Sequence, residues 1–323
     1  MTDGRCWVLT AGEAGMRSQA LGLAEAVGLP IEEKHFALRA PGKWLPGGLL
    51  PMPSYMLESG GDPIRAPWPL LIVACGRRAI DPALAIKRRS KGKTLAVYVQ
   101  NPEFGREKFD LVAAMPHDGV TGRNVIVSET ALHGVTPERL AAVRDEWRDR
   151  LSAGVKPLLG VLIGGDNGGY RLTPAVTARL LHAVEGAHDE HGLKIAVATS
   201  RRTGETASRA IGDAIRSKAG AGSVWAESDA YLGILANAER ILVTGDSISM
   251  ISEALATGRP VHVLPLEGHG RRHDAFLKRI AAKRFVSVVE GDDLDRSFQG
   301  PGAVNATPVV AARIREMFAA RQA

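Results

Sequence analysis

The sequence predicts an α/β protein made of two doubly wound, Rossmann-like domains facing each other across a cleft. Three observations predict it. Strand-sized apolar runs alternate with helical periodicity along most of the chain. Several of those runs are apolar throughout, as strands covered on both faces of a parallel sheet must be. The alternation also restarts near residue 157, and 323 residues are enough for two cores of ordinary size.

In the first half, Cys6 to Ala11 reads as a strand and Arg17 to Val27 as a helix with Leu21, Ala24 and Val27 on one face. Leu70–Ala74 and Thr94–Val99 are continuous apolar strands, with Ala79–Arg89 as the crossover helix between them. Leu111–Ala114 and Asn124–Val127 are short strands, and Pro137–Leu151 is a helix followed by the linker-like "SAGVKP". The second half runs strand Leu158–Ile163, helix Thr173–His188, strand Lys194–Thr199 and helix Gly204–Ser217. Ser223–Ala226 is extended, Tyr231–Ala238 helical, Ile241–Thr244 a strand, Ile248–Thr257 a helix and Val261–Pro265 a strand. A His/Arg-rich loop follows, and Val309–Arg321 is the last helix. The expected domains are residues 1–152 and 153–304. A C-terminal helix within 305–323 packs back toward the first.

Composition narrows the function classes. Forty-one Lys and Arg against 35 Asp and Glu give a net charge of +6, which favours an anionic partner. Nucleic acid is the weaker candidate, because aromatics make up only 5% and no nucleic-acid-reading motif is present. The densest cationic cluster, "AIKRRSKGK" (85–93), suits a solvated helix end or anionic headgroups and phosphates. Residues 44–57, rich in Trp, Leu, Met and Pro, have the texture of a partner or membrane surface. The apolar runs are too short to span a bilayer, there is no secretory leader, and Cys6 and Cys75 sit in strand patterns as free thiols. The expected location is cytoplasmic, peripheral on the inner face of the membrane.

Ligands of doubly wound sheets sit beyond the carboxyl ends of the strands, so the strand-to-helix turns carry the candidates. "LTAGEAGMRSQ" (9–19) offers Gly12, Gly15 and Gln19, with Glu13 projecting. It lacks the third glycine of a dinucleotide fingerprint, and the chain has no Tyr-x-x-x-Lys pair, which weakens a nicotinamide-dependent reading. "ACGRRAID" (74–81) puts Arg77 and Arg78 at a helix start, where cations oppose the helix dipole; that placement favours anion recognition. "LIGGDNGGYRLTP" (162–174) has four glycines in six residues and no G-K-[ST], so it suits close approach of a phosphate or sugar without being a P-loop. "VTGDSISMISEALATGRPV" (243–261) presents Asp246, Ser247 and Ser249 at a helix start and Glu253 about two turns in. Phosphate at the helix start and ribose at the glutamate together describe a nucleoside diphosphate.

The segment "GDSISMISEALATGRPVHVLPLEG" is similar to the donor-site segment of GT-B glycosyltransferases, such as those that add GlcNAc to lipid II precursors or make lipid A disaccharide. Most of residues 7–285 more closely resembles the ELM1-like family of bacterial proteins and a plant mitochondrial fission factor. "AGEAGMRSQALGLAEAVG", "YVQNPEFGREKFDLVAAMPHDG", "GGDN", "TSRRTGE" and "TGDSISMISEALATGRPV" carry that resemblance. The resemblance implies a GT-B-like fold and a donor set of Gly164, Gly165, Asn167, Ser200, Arg201, Asp246, Ser247, Ser249 and Glu253. Gln100 and Asn101 join Gly12, Gly15, Gln19, Arg77 and Arg78 as the anion or acceptor set.

The first glycine loop departs from the lipid II enzyme in carrying no histidine, so Glu13, His117 and Asp118 are the catalytic candidates by position. Arg77, Arg201 and Arg202 are placed to offset charge on a leaving diphosphate. The lone D-x-D, Asp293-Leu294-Asp295, reads as a helix start, and no metal or other cofactor is expected. The expected function is metal-independent transfer of a sugar from a nucleotide donor, a UDP-sugar, to a lipid or membrane-bound acceptor. The alternative is a non-catalytic recruitment protein on the same scaffold.

Overall fold

The computed structural model describes residues 2–10, 12, 14–37, 61–151, 157–190, 192–218, 223–225, 228–291 and 293–322. The chain forms two compact units, one of residues 1–134 with 306–323 and the other of residues 135–305.

The first unit begins with β1 (Thr2–Leu9), α1 (Ala14–Val27), β2 (Ile31–Lys34), β3 (Trp68–Cys75), α2 (Ile80–Arg89), β4 (Leu95–Val99), β5 (Leu111–Ala114) and β6 (Val125–Val127). Its strands form a parallel sheet in the order β2-β1-β3-β4-β5-β6. Alternate residues of each strand leave on opposite faces. Cys6, Val8, Leu71, Val73 and Val97 pack on the α1 side. Trp7, Leu9, Ile72, Ala74 and Tyr98 pack with Ile80, Ala83 and Ile86 of α2. Two covered faces account for the unbroken apolar runs. Cys6 and Cys75 are free and buried, and burial pushes the Cys6 thiol up to about 12. The edge strand β2 has only Ile-Glu-Glu-Lys and no apolar alternation to announce it. Pairing with β1 holds it, and Lys34 Nζ lies 4.4 Å over the Trp7 ring of that strand.

The second unit comprises α3 (Pro137–Arg150), β7 (Leu158–Ile163), β8 (Tyr170–Arg171), α4 (Pro174–Asp189), β9 (Lys194–Thr199), α5 (Glu205–Lys218), β10 (Ser223–Trp225) and α6 (Ser228–Asn237). It continues with β11 (Arg240–Thr244), α7 (Ile248–Leu255), β12 (Val261–Leu264), β13 (Glu267–Gly268), α8 (Arg271–Ala282) and β14 (Ser287–Val288). Six strands form a parallel sheet in the order β10-β9-β7-β11-β12-β14, and β8 pairs antiparallel with β13. Numbered within the unit, that order is 3-2-1-4-5-6, the dinucleotide-fold order. The last helix, α9 (Thr307–Gln322), belongs to the first unit: Val310 and Ile314 join the α1 core, and Arg315 donates to the Ala26 carbonyl at 2.7 Å.

Three sequence expectations are corrected. The break between units falls after Gly134 rather than at 152, because α3 packs on α6. Trp147 is buried against Gly233, where a Cβ would strike its ring, and Arg144 Nε donates to the Ala236 carbonyl at 3.0 Å. The His/Arg-rich stretch after β12 becomes a helix from Arg271 onward, with Phe276 and Ile280 buried one turn apart. Asp293–Asp295 starts no helix: Asp295 Oδ1 accepts from the Ser297 amide at 3.0 Å in a turn.

Candidate functional site

The strand order of each sheet reverses at one point, and the crevice there is where such folds take ligands. In the second unit the reversal lies between β7 and β11, whose carboxyl ends carry the 164–167 loop and the 245–247 turn. In the first it lies between β1 and β3, whose ends carry Gly12 and the Gly76–Arg78 turn.

Asp246 organises the second unit's crevice. Its carboxylate is buried and accepts from Thr244 Oγ1 at 2.7 Å and the Gly165 amide at 3.2 Å. Arg202 Nη2 lies 2.8 Å from the same carboxylate. Of the three polar residues that the sequence places at this helix start, Ser247 is the N-cap of α7, accepting from the Met250 amide at 3.3 Å. The amides of Ile248 and Ser249 precede that bond and find no acceptor among the described residues, so they point out of the first turn of α7.

The glycines of the loop are explained by packing. A Cβ on Gly164 would run into the Asp246 carboxylate, and one on Gly165 (φ 154°) into the Arg202 carbonyl. Gly164 is also clamped by its neighbours: its amide donates to Thr244 Oγ1 at 2.7 Å, and its carbonyl accepts from Ser200 Oγ at 2.9 Å and from Thr203 Oγ1. Asn167 Oδ1 accepts from the Gly169 and Tyr170 amides at 2.9 and 3.0 Å, while its Nδ2 donates to the Asp246 carbonyl at 3.3 Å.

Glu253 accepts a hydrogen bond from the Tyr231 hydroxyl, which fixes the carboxylate's direction. Burial first, and then the Glu253 charge, raise the Tyr231 phenol well above its ordinary range, so it stays a donor. On α8, the His273 ring packs 5.5 Å from the Tyr170 ring, and burial lowers its pKa from the ordinary histidine value. The Tyr170 hydroxyl in turn donates to Asp274 at 2.5 Å.

Of the donor candidates, Gly164, Gly165, Asn167, Ser200 and Asp246 are thus joined in one hydrogen-bonded group, with Ser247, Ser249 and Glu253 on the adjoining helix. Arg201 is exposed; its neighbour Arg202 makes the ion pair. Sequence reasoning missed Thr203, Thr244, Tyr231 and His273. A hydroxyl residue at the end of β11 and another in the turn after β9 were the available signals for the two threonines.

In the first unit, Gly12 (φ 94°) and Gly15 flank the start of α1, and Gln19 Nε2 donates back to the Gly15 carbonyl at 3.2 Å. Arg77 and Arg78 are exposed on a 3₁₀ turn after Gly76. Gln100 (φ 84°) follows β4, and Asn101 Oδ1 accepts from the Glu103 amide at 3.0 Å. Asp118 is not a free base: it accepts from the Met115 amide at 2.9 Å, with His117 Nε2 4.0 Å from its other oxygen. Glu13 and residues 44–57 lie outside the described residues.

Known proteins place this architecture. The chain is similar over 97% of its length to all of Acinetobacter baumannii MurG, with a TM-score of 0.54 and 14% identity. It is similar over 98% of its length to 99% of the UDP-GlcNAc 2-epimerase of Neisseria meningitidis bound to UDP-GlcNAc, with a TM-score of 0.55 and 11% identity. These likenesses establish the α/β, GT-B-like fold class. In sequence, it is 28% identical over 279 residues to the mitochondrial fission protein ELM1 of Arabidopsis thaliana, covering 78% of this chain and 65% of the relative's length. A Rickettsia prowazekii protein is 23% identical over 138 residues, 42% of this chain and 39% of its own. The sequence model of the mitochondrial fission ELM1 family matches residues 14–318, and the chain belongs to that family.

Proposed function

We propose that the second unit binds a nucleoside diphosphate-sugar, a UDP-sugar, and that the protein transfers the sugar to a lipid or membrane-bound acceptor. The observation that carries this reading is the β7/β11 reversal point. There the open amides of Ile248 and Ser249, the Arg202 guanidinium and the Glu253 carboxylate lie on adjoining turns of one unit. Helix amides and a guanidinium suit a diphosphate, and a carboxylate suits ribose hydroxyls. The named epimerase neighbour binds UDP-GlcNAc on the same fold, which supports the ligand class. In this reading amides and guanidinium carry the leaving diphosphate without a metal, and His117 serves as the acceptor-side base because Asp118 is spent on its own turn. Arg88, Lys91 and Lys93, exposed at the end of α2, supply the contact with anionic lipid on the inner face of the cytoplasmic membrane.

Calorimetry with UDP and a panel of UDP-sugars tests the donor half. The wild type binds at least one, and Glu253→Ala weakens it at least tenfold; a wild type indifferent to every member ends the proposal. Transfer is then read as labelled sugar entering a lipid extract.

A second reading, a recruitment protein without catalysis, is favoured by the family itself, whose Arabidopsis relative is named a mitochondrial fission protein. It predicts nucleotide binding without transfer, or neither, together with retained sedimentation on anionic vesicles.

A further inference from the structure

The second unit carries a cavity of about 680 Å³ at the end of its sheet opposite the crevice. The amino ends of four neighbouring strands form one wall: Pro157 precedes β7, Leu193 precedes β9, Arg240 opens β11 and Pro260 precedes β12. The five residues of β11, each rising about 3.3 Å, separate this wall from the Gly245–Ser247 turn. The segment 294–299 forms the other wall. Leu294 and Phe298 are buried and anchor it. Arg240 ties it down, donating to the Arg296 carbonyl at 2.8 Å and the Phe298 carbonyl at 2.9 Å.

Three arginines line the cavity against one glutamate. The carbonyls on Arg240 occupy its donors without cancelling its charge, and among the described residues it pairs with no carboxylate. Arg259 Nη1 lies 3.1 Å from Glu239, but both side chains are largely exposed, and pairs of that kind hold their partners weakly. Arg296 is exposed and has no acidic partner among the described residues. Its neighbour Asp295 is engaged in its own turn, where Oδ1 accepts from the Ser297 amide at 3.0 Å and hydroxyl at 2.6 Å. Two positive charges are therefore in excess, and guanidinium forks match the oxygens of a phosphate. A phosphate monoester carries close to two negative charges at neutral pH, whereas a carboxylate carries one. Leu193, Leu294, Pro157 and Pro260 give an apolar substituent a surface to cover. No aromatic side chain is in the lining, so a stacked nucleobase is not what it fits. Its volume lies within the range of about 300–1,000 Å³ usual for small-molecule sites.

We propose that this cavity is a second ligand site of the protein, for a small phosphate monoester with an apolar substituent, held by Arg259 and Arg296 beside Arg240. It is separate from the crevice and does not depend on the nucleotide reading of that crevice.

The test uses the full chain and phenyl phosphate at neutral pH. Calorimetry measures the affinity, and NMR locates the ligand through the amides of Arg259, Ser297 and Gln299. Those amides should shift saturably, with a dissociation constant of about 1 mM or below. Arg259→Gln combined with Arg296→Gln should weaken binding at least tenfold. Phenylacetate lacks the second charge, inorganic phosphate the apolar body and benzyl alcohol any charge, so each should bind severalfold more weakly. Saturating UDP should leave the titration unchanged. The proposal is overturned if phenyl phosphate does not bind, if the double variant binds as the wild type does, or if any control binds as tightly. It is also overturned if the shifts fall instead on Ile248 and Ser249 and vanish with UDP, a result that would support the donor reading. A wild type that ignores UDP but takes phenyl phosphate at Arg259 would end the donor reading and leave this one standing. If the variant does not fold, the four wild-type titrations and the location of the shifts decide.

Discussion

The Arg202 guanidinium lies 2.8 Å from the carboxylate of Asp246, whose side chain is wholly buried while that of Arg202 is 37% exposed. A buried acid with a half-exposed partner is held mainly by its buried hydrogen bonds, here from Thr244 and Gly165. Its removal therefore disturbs three segments at once.

Asp246→Asn keeps the shape but removes the charge, and its amide NH₂ faces donors. Breaking a buried pair costs about 3–5 kcal/mol; with Arg202 able to turn to water, about 2 kcal/mol is expected here. Urea denaturation of the full chain measures it. A midpoint equal to that of the wild type would show that the ion pair does not hold the turn.

Gly164→Ala should be costly for a different reason. The new methyl would occupy the place of the Asp246 carboxylate, and overpacking of this kind costs about 1–3 kcal/mol. Gly168, four residues on in the same loop, has open space around a built Cβ, so Gly168→Ala should stay within about 0.5 kcal/mol. Equal thermal shifts for the two variants would mean that loop flexibility, rather than room for Asp246, is what the glycines supply.

Tyr231→Phe removes the donor that aims Glu253. The loss should be about 1 kcal/mol in stability, with UDP binding weakened severalfold if Glu253 holds the ribose. Calorimetry separates the two: a variant with wild-type affinity would show that Glu253 needs no positioning, or that it does not touch the nucleotide.

The parallel strands were legible because burial on both faces writes them as unbroken apolar runs, as at Leu71–Val73 and Leu158–Ile163. The β7 and β11 turns were legible because glycine and hydroxyl residues gather there. Other features depend on partners far away in sequence. Lys34 reads as a surface cation until Trp7 is placed beneath it. The unit boundary was hidden because Gly233, which makes room for Trp147, looks like any helical glycine. His273 was lost because His269, Gly270, Arg271 and Arg272 before it read as a loop, whereas Phe276 and Ile280 anchor a helix. Within the candidate site, the residue types singled out turns that the fold brings to one reversal point, but which of Arg201 and Arg202 pairs with Asp246 needed the backbone.

His262 provides a pH test away from the crevice. It lies on β12, fully buried, with Arg240 Nη1 3.4 Å from its Nε2 and the Phe298 ring at 5.9 Å. Burial first, and then the Arg240 charge, lower its pKa to about 4, against a weak opposing pull from Asp295. In the unfolded chain the ring titrates near 6.5, so between about 6.5 and 4 the unfolded state holds more protons than the folded one. Stability therefore rises with pH through that window and falls as pH drops through it. Integrated down to pH 4, this one residue removes about 3 kcal/mol. His262→Gln cannot take up the proton, so its denaturation midpoint should lose less than that of the wild type between pH 7 and pH 4. Parallel pH profiles for the two proteins would mean that His262 is solvated in the folded state or charges without cost, contrary to its burial against Arg240.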